Sequence, residues 1–167
     1  FALDHLEARF MYRETASKWS EAERSAISNF KKKFSPQWSP AEKEFSNWHY
    51  LVLSRMDLPK VYHYDKPVVV LMNPKCFSAT DIFLAGLKGI PNVVLMGTPS
   101  GGGSARSVTF RFGNLSTRLA SMASFKPDGR LYDGNGIQPD VRIDPLPEYY
   151  VAGRDNLLEA AVDQINQ

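Results

Sequence analysis

The sequence predicts an α/β fold: a parallel strand–helix–strand unit, a β-hairpin after it, and an inserted helical segment before it. Three stretches carry that reading. Residues 67–72 read Pro-Val-Val-Val-Leu-Met and are closed by Asn73-Pro74, the pattern of a strand buried on both faces. From Ser78 the apolar period becomes helical, with Ile82, Phe83, Gly86 and Leu87 on one stripe, and Gly89 and Pro91 end that helix. Val93 to Met96 is a second buried strand, and the short connections make the pair parallel, with a right-handed crossover.

The chain in order adds the rest. Ala2, Leu3, Leu6 and Phe10 recur at helical spacing and predict a first amphipathic helix. Met11 to Trp19 lacks that period and is compatible with a strand. Ser20-Glu21-Ala22-Glu23 is a capping box opening a helix that runs toward Phe34, with acids first and Lys31-Lys32-Lys33 last, as the helix dipole favours. Ser35-Pro36 ends it, and Ser39-Pro40-Ala41-Glu42 starts another. Phe45, Trp48, His49 and Val52 continue a helical stripe, while Tyr50 to Ser54 also reads as a strand; both remain open. Residues 20–57 are richer in charge than the rest and read as an inserted helical flap, or as a plain packing element.

Beyond the glycine-rich stretch 100–104, Val108, Phe110 and Phe112 alternate with Thr109 and Arg111. Gly113-Asn114 is a turn, and Thr117 to Phe125 can return as the partner strand. Lys126-Pro127-Asp128-Gly129 is a second turn. Asp155 caps a last helix whose stripe is Leu157, Leu158, Ala161, Val162 and Ile165.

The chain has 167 residues, 43% hydrophobic and 23% charged, the balance of an ordinary globular domain. Twenty basic against eighteen acidic side chains give a formal charge of +2, which does not point to a nucleic-acid partner. No run reaches the length of a membrane span. A single cysteine, Cys76, excludes an intrachain disulfide and fits a cytosolic or a bacterial envelope protein equally. Its apolar turn favours a buried thiol over a nucleophile. No cluster of His, Cys or acids has metal-ligand spacing, and no cofactor is implied. The Gly101–Gly103 run lacks the Gly-Lys-Ser/Thr ending of a phosphate loop and precedes a strand, so glycines there serve close approach of a backbone instead.

Ser78 has two readings. Ser-Ala-Thr-Asp resembles a capping box, which would make Ser78 a helix cap. A serine at the carboxyl end of a buried strand and the mouth of a helix can also be a nucleophile, with free N–H groups stabilising an oxyanion.

Residues 66–71, Phe77-Ser-Ala-Thr-Asp-Ile-Phe83, Val93-Val-Leu-Met-Gly-Thr-Pro-Ser-Gly-Gly-Gly103 and Gly136-Ile-Gln-Pro-Asp-Val141 together resemble the C-terminal-processing and tricorn-core family of serine peptidases. The resemblance implies a ClpP/crotonase-like core, a peptide or protein substrate, and Ser78 as nucleophile. It implies Ala79 N–H as an oxyanion donor and Gly101, Gly102 and Gly103 as substrate-binding backbone. The C-terminal-processing branch takes its base from a lysine in the glycine-rich turn, which is missing here, and Arg106 cannot act as a base. The tricorn-like branch uses serine, histidine and a carboxylate, which maps the acid onto Asp133, shorter than the usual glutamate; an aspartate before glycine is equally a plain turn residue. His5, His49 and His63 lie in no matching context, with His63 the best local candidate. The family's upstream glycine loop is also missing, so residues 1–167 read as the C-terminal portion of one peptidase catalytic domain. The family further implies a periplasmic, surface or secreted bacterial location and leaves room for a homo-oligomer. Two other classes share the fold: a non-catalytic ligand- or peptide-binding module, and a crotonase-type acyl-CoA enzyme.

Overall fold

A computed structural model describes residues 5–13, 17, 19–39, 48–53, 64–103 and 107–166. Among them the core is a three-stranded parallel sheet in the order β3-β4-β7, with β3 at Val68–Met72, β4 at Val93–Gly97 and β7 at Val141–Arg142. Helix α2, Ala79–Leu87, connects β3 to β4, and the register runs from Val68↔Val93 to Met72↔Gly97. Met72, Leu84, Ala85, Leu87 and Leu95 form one buried cluster with Tyr132 and Ile137. The βαβ expectation therefore holds in its order and its parallel pairing.

Its burial differs. Strand β3 pairs only with β4 among the described residues, and its Leu71 is exposed. Among the described residues the three-stranded sheet leaves β3 only partly covered, with Met72 alone fully buried. Of the expected α2 stripe, Gly86 and Leu87 are buried and Ile82 half-buried, but Phe83 is 53% exposed, and Asp81, Leu84 and Ala85 turn inward as well. A carboxylate occupies the buried face, so the apolar period alone misplaces it.

The C-terminal elements close the sheet. β7 pairs with β4 through Met96↔Val141 and Gly97↔Arg142. Asp140 fixes that junction: its Oδ2 accepts from Leu95 N at 2.9 Å, its N–H donates to Leu95 O at 2.7 Å, and Lys88 Nζ donates to Oδ1 at 2.5 Å. Asp140→Ala should lower unfolding stability by about 1–3 kcal/mol, since a part-buried N–H loses its charged acceptor; urea unfolding measures it. Helices α3, Pro147–Val151, and α4, Asn156–Ile165, follow. Asp155 caps α4 as expected, accepting from Leu157 and Leu158 N–H at 2.9 and 3.1 Å. The α4 stripe is only half used. Ala161 is buried, but Leu158, Val162 and Ile165 stay exposed, because the three strands are narrower than the stripe. No described helix is long and apolar enough to cross a membrane.

Strand β1 covers His5–Arg13: up to Phe10 it stands where helical spacing predicted a helix, and from Met11 it falls in the segment read as compatible with a strand. It pairs antiparallel with β2, His49–Leu53, which settles the second ambiguity in favour of a strand. The pairing partner lies some forty residues away, and no local pattern reveals it. Helix α1, Glu21–Lys33, has the predicted capping box: Ser20 N–H reaches Glu23 Oε2 at 2.8 Å, and Glu23 N–H reaches Ser20 Oγ at 3.3 Å. Trp19, Ile27 and Tyr50 make a second buried cluster. Phe34, Trp38 and Trp48 pack their rings on buried Phe125 and so join this layer to the rest. The helix expected from Ser39-Pro40 lies outside the described residues. Within 20–57 the described part holds one helix and one strand.

The hairpin is β5, Ser107–Phe112, and β6, Leu115–Ala120, with register Phe112↔Leu115 to Ser107↔Ala120. Gly113-Asn114 is the turn, as expected, but β6 is earlier and shorter than the predicted return strand. Val108, Phe110, Phe112, Leu115 and Leu119 are 43–66% exposed.

Candidate active site

The loop 73–78 leaves the carboxyl end of β3. Asn73 shapes it, accepting Lys75 N–H on Oδ1 at 2.9 Å and Cys76 N–H on its carbonyl at 3.0 Å. The loop then delivers Ser78 to the first turn of α2 at φ 62° and ψ −119°. Among the described residues Ser78 is the only non-glycine with a positive φ. Such a conformation costs on the order of 1–3 kcal/mol and has to be enforced by its surroundings. The expected cap is absent: the Ser78 side chain makes no capping hydrogen bond. Its would-be partner, Asp81, faces the other way. Ala79 N–H is the first of α2, where helical N–H groups have no intrahelical acceptor.

Asp81 is wholly buried. Its Oδ1 accepts the Ser100 hydroxyl at 2.5 Å, and its Oδ2 accepts Gly103 N–H at 3.2 Å. The Ser100 hydroxyl in turn accepts Ile137 N–H at 2.7 Å, and Ser100 N–H donates to Ile137 O at 3.1 Å. A buried carboxylate thus ties α2 to the glycine turn and, through Ser100, to the segment after Asp133.

The glycine turn touches both neighbouring loops. Gly101 N–H donates to Cys76 O at 2.7 Å, and Gly134 N–H donates to Gly102 O at 3.2 Å. A side chain at Gly101 would strike Pro74 O, and one at Gly102 would strike Tyr132 O and Gly136. The close approach that these two glycines permit is therefore made by the chain itself. At Gly103 a Cβ would meet only Phe77, at an ordinary 3.6 Å. Cys76 is half-buried against the core cluster.

Asp133 sits half-buried between Tyr132 and Gly134, in a loop where Asn135 and Gly136 N–H both return to Tyr132 O at 3.1 and 2.9 Å. Lys126 closes the group from behind. It is 5% exposed, and its Nζ donates to Gly136 O at 3.0 Å. Burial pushes its pKa below the ordinary value, with Asp128 pulling it up, Arg130 down and Asp81 up. Burial pushes the Asp128 carboxyl up, but hydrogen bonds from Arg130 and the charge of Lys126 hold it below its usual value.

The sequence-predicted Ser78, Ala79, Gly101, Gly102, Gly103 and Asp133 thus lie on three loops bonded to one another at the carboxyl ends of β3 and β4. The histidines do not join them. His5 and His49 lie on the separate β1–β2 pair, and His63 lies outside the described residues. Sequence reasoning missed the roles of Asp81, read as a cap partner, and of Lys126, read only as the first residue of a turn. The one available signal for Lys126 was its place directly after Phe125, close to Ala123. No described residues form a group of three or more potential metal ligands.

A model of peptidase family S41 matches residues 11–143. The chain belongs to that family. The resemblance drawn from the motifs is therefore borne out at the level of the family. A carboxy-terminal-processing protease of Bartonella bacilliformis is 34% identical over 88 residues, which are 52% of this chain and 20% of that protein. The chain spans about a fifth of the length of that curated relative. The crystal structure of a protein from Parabacteroides merdae superposes with a TM-score of 0.61 at 28% identity, covering 72% of this chain and 37% of that one. That superposition supports the mixed α/β fold that the sequence predicted, which in this chain comprises a parallel sheet and an antiparallel hairpin.

Proposed function

We propose that the chain is part of a serine endopeptidase's catalytic domain, of the ClpP/crotonase type, in which the Ser78 hydroxyl attacks the scissile carbonyl. The observation that carries this is the backbone of Ser78. A residue held at positive φ, with its hydroxyl released from capping and set at the mouth of α2, fits a nucleophile presented on a strained strand-to-helix turn. Ala79 N–H, at the start of α2, serves as a donor to the oxyanion in this reading. Gly103, where an added Cβ would meet only Phe77, lines the approach of the substrate backbone, and Gly101 and Gly102, packed against the chain itself, hold it in position. Asp133 orients the base, a histidine in the tricorn-like manner, supplied from outside these 167 residues. Membership of S41 supports peptide hydrolysis, and the family resemblance supports action outside the bacterial cytoplasm.

The test is a fluorophosphonate probe applied to the intact protein, followed by identification of the modified peptide. Modification at Ser78 is expected. A protein that stays unlabelled while still binding peptide is a non-catalytic binding module. Asp133→Asn should lower kcat by up to about 10⁴-fold with KM little changed, as when an orienting carboxylate is lost. Asp133→Glu should retain activity, and unchanged turnover in the asparagine variant would reduce Asp133 to a turn residue.

A further inference from the structure

We propose that Lys126 is a positioning residue for this site, holding the loop that carries Asp133 against the glycine turn through its hydrogen bond to the Gly136 carbonyl. The lysine is well placed for that. Its backbone is fixed at both ends of the turn 126–130, with Lys126 N–H on Arg130 O at 2.8 Å and Gly129 N–H on Lys126 O at 2.9 Å. Phe125, just before it, is clamped among Phe34, Trp38 and Trp48. The stem therefore starts from a rigid point, and its ammonium ends inside the protein on one particular carbonyl.

Gly136 is where such a bond has most leverage. Its Cα lies so close to Ser100 that an added Cβ would strike the Ser100 carbonyl and crowd its hydroxyl, and Gly102 presses on it as well. Ser100 in turn holds Asp81, three residues from Ser78. A displacement of Gly136 is thus passed to the glycine turn and to the start of α2. Among the described residues Asp81 is the only buried carboxylate and Lys126 the only buried cation. Each charge helps to offset the desolvation of the other, since an ammonium is costly to bury alone. Lys126 touches no reacting atom in this arrangement. It acts through the position of Asp133, five residues beyond Asp128, with which it pairs at 3.9 Å, and three before the carbonyl it holds at Gly136.

The catalytic part of this inference rests on the reading of Ser78 and Asp133 given above. In the intact protein, Lys126→Met keeps the stem and removes the donor, and Lys126→Arg restores a cation and a donor. Lys126→Met should lower kcat by about 10²-fold, the usual effect of a misplaced catalytic group, with KM nearly unchanged. Lys126→Arg should recover most of that loss. A lysine that only stabilised the fold would lower the melting temperature and leave kcat per folded molecule unchanged, and that result overturns the inference. Fluorophosphonate labelling of the wild-type protein checks the nucleophile separately. If it fails, amide exchange still decides the brace. Faster exchange at Gly134 and Ile137 in Lys126→Met, with Leu95 unchanged, sustains it, and unchanged exchange at Gly134 and Ile137 overturns it.

Discussion

Ser78→Ala is expected to lower the turnover of unstructured peptide by the intact protein about 10⁴-fold or more, the scale seen when a triad nucleophile is removed. The same substitution should leave stability within about 0.5 kcal/mol of wild type. The second half of that prediction follows from the structure and departs from the sequence. A capping serine would lose about 1 kcal/mol on conversion to alanine, because an orphan helical N–H loses its acceptor. Ser78 makes no such bond, and alanine at φ 62° inherits the same strain. Glycine does not. Ser78→Gly should therefore be as inactive as alanine yet more stable by about 1 kcal/mol, the released strain less the extra entropy of a glycine in the unfolded chain. The pair separates the two readings of this serine. A cap predicts full activity with lost stability, and a strained nucleophile predicts lost activity with stability kept or gained. Melting curves and kcat on the three proteins measure both.

Much of this was legible because the signals were local. The run of valines at 68–70 needs no partner to announce a strand, and the capping box at Ser20 and the N-cap at Asp155 act within three residues. The site loops were legible as motifs, each tied to a glycine or proline that fixes the backbone. What failed depended on distant contacts. Leu6 and Phe10 satisfy a helical period, yet their segment pairs with β2. Phe83 was expected on the apolar stripe and Asp81 as the acid of a capping box, because a hydrophobic period makes no place for a carboxylate. Asp81 is buried because Ser100 and Gly103, about twenty residues on, supply its hydrogen bonds. The same holds for Lys126 and Gly136. The conformation of Ser78 leaves no trace in composition at all. A serine before Ala-Thr-Asp is what a relaxed cap and a strained turn both look like.

The three glycines that bind the loops together should respond to alanine in sharply different ways. Gly102→Ala is expected to destabilise by more than about 4 kcal/mol, in the range reserved for clashes that cannot relax. The residue has φ 61°, and an added Cβ would lie closer than 3.0 Å to Tyr132 O and to Gly136 N and Cα. All three are backbone atoms, and they cannot move aside cheaply. Gly136 is held by Lys126, and Ile137 by two hydrogen bonds to Ser100. Gly134 has a similar φ of 77° but nothing within 4 Å of a Cβ, so alanine there should cost only the torsional strain, about 1–2 kcal/mol. Gly103 is not in the left-handed region, and its Cβ would touch Phe77 at an ordinary 3.6 Å, so Gly103→Ala should stay within about 0.5 kcal/mol. Denaturant midpoints for the three variants give the comparison. If Gly102→Ala proved no worse than Gly134→Ala, the loop carrying Asp133 would be free to shift, and the glycine turn could not be what fixes the carboxylate relative to Ser78.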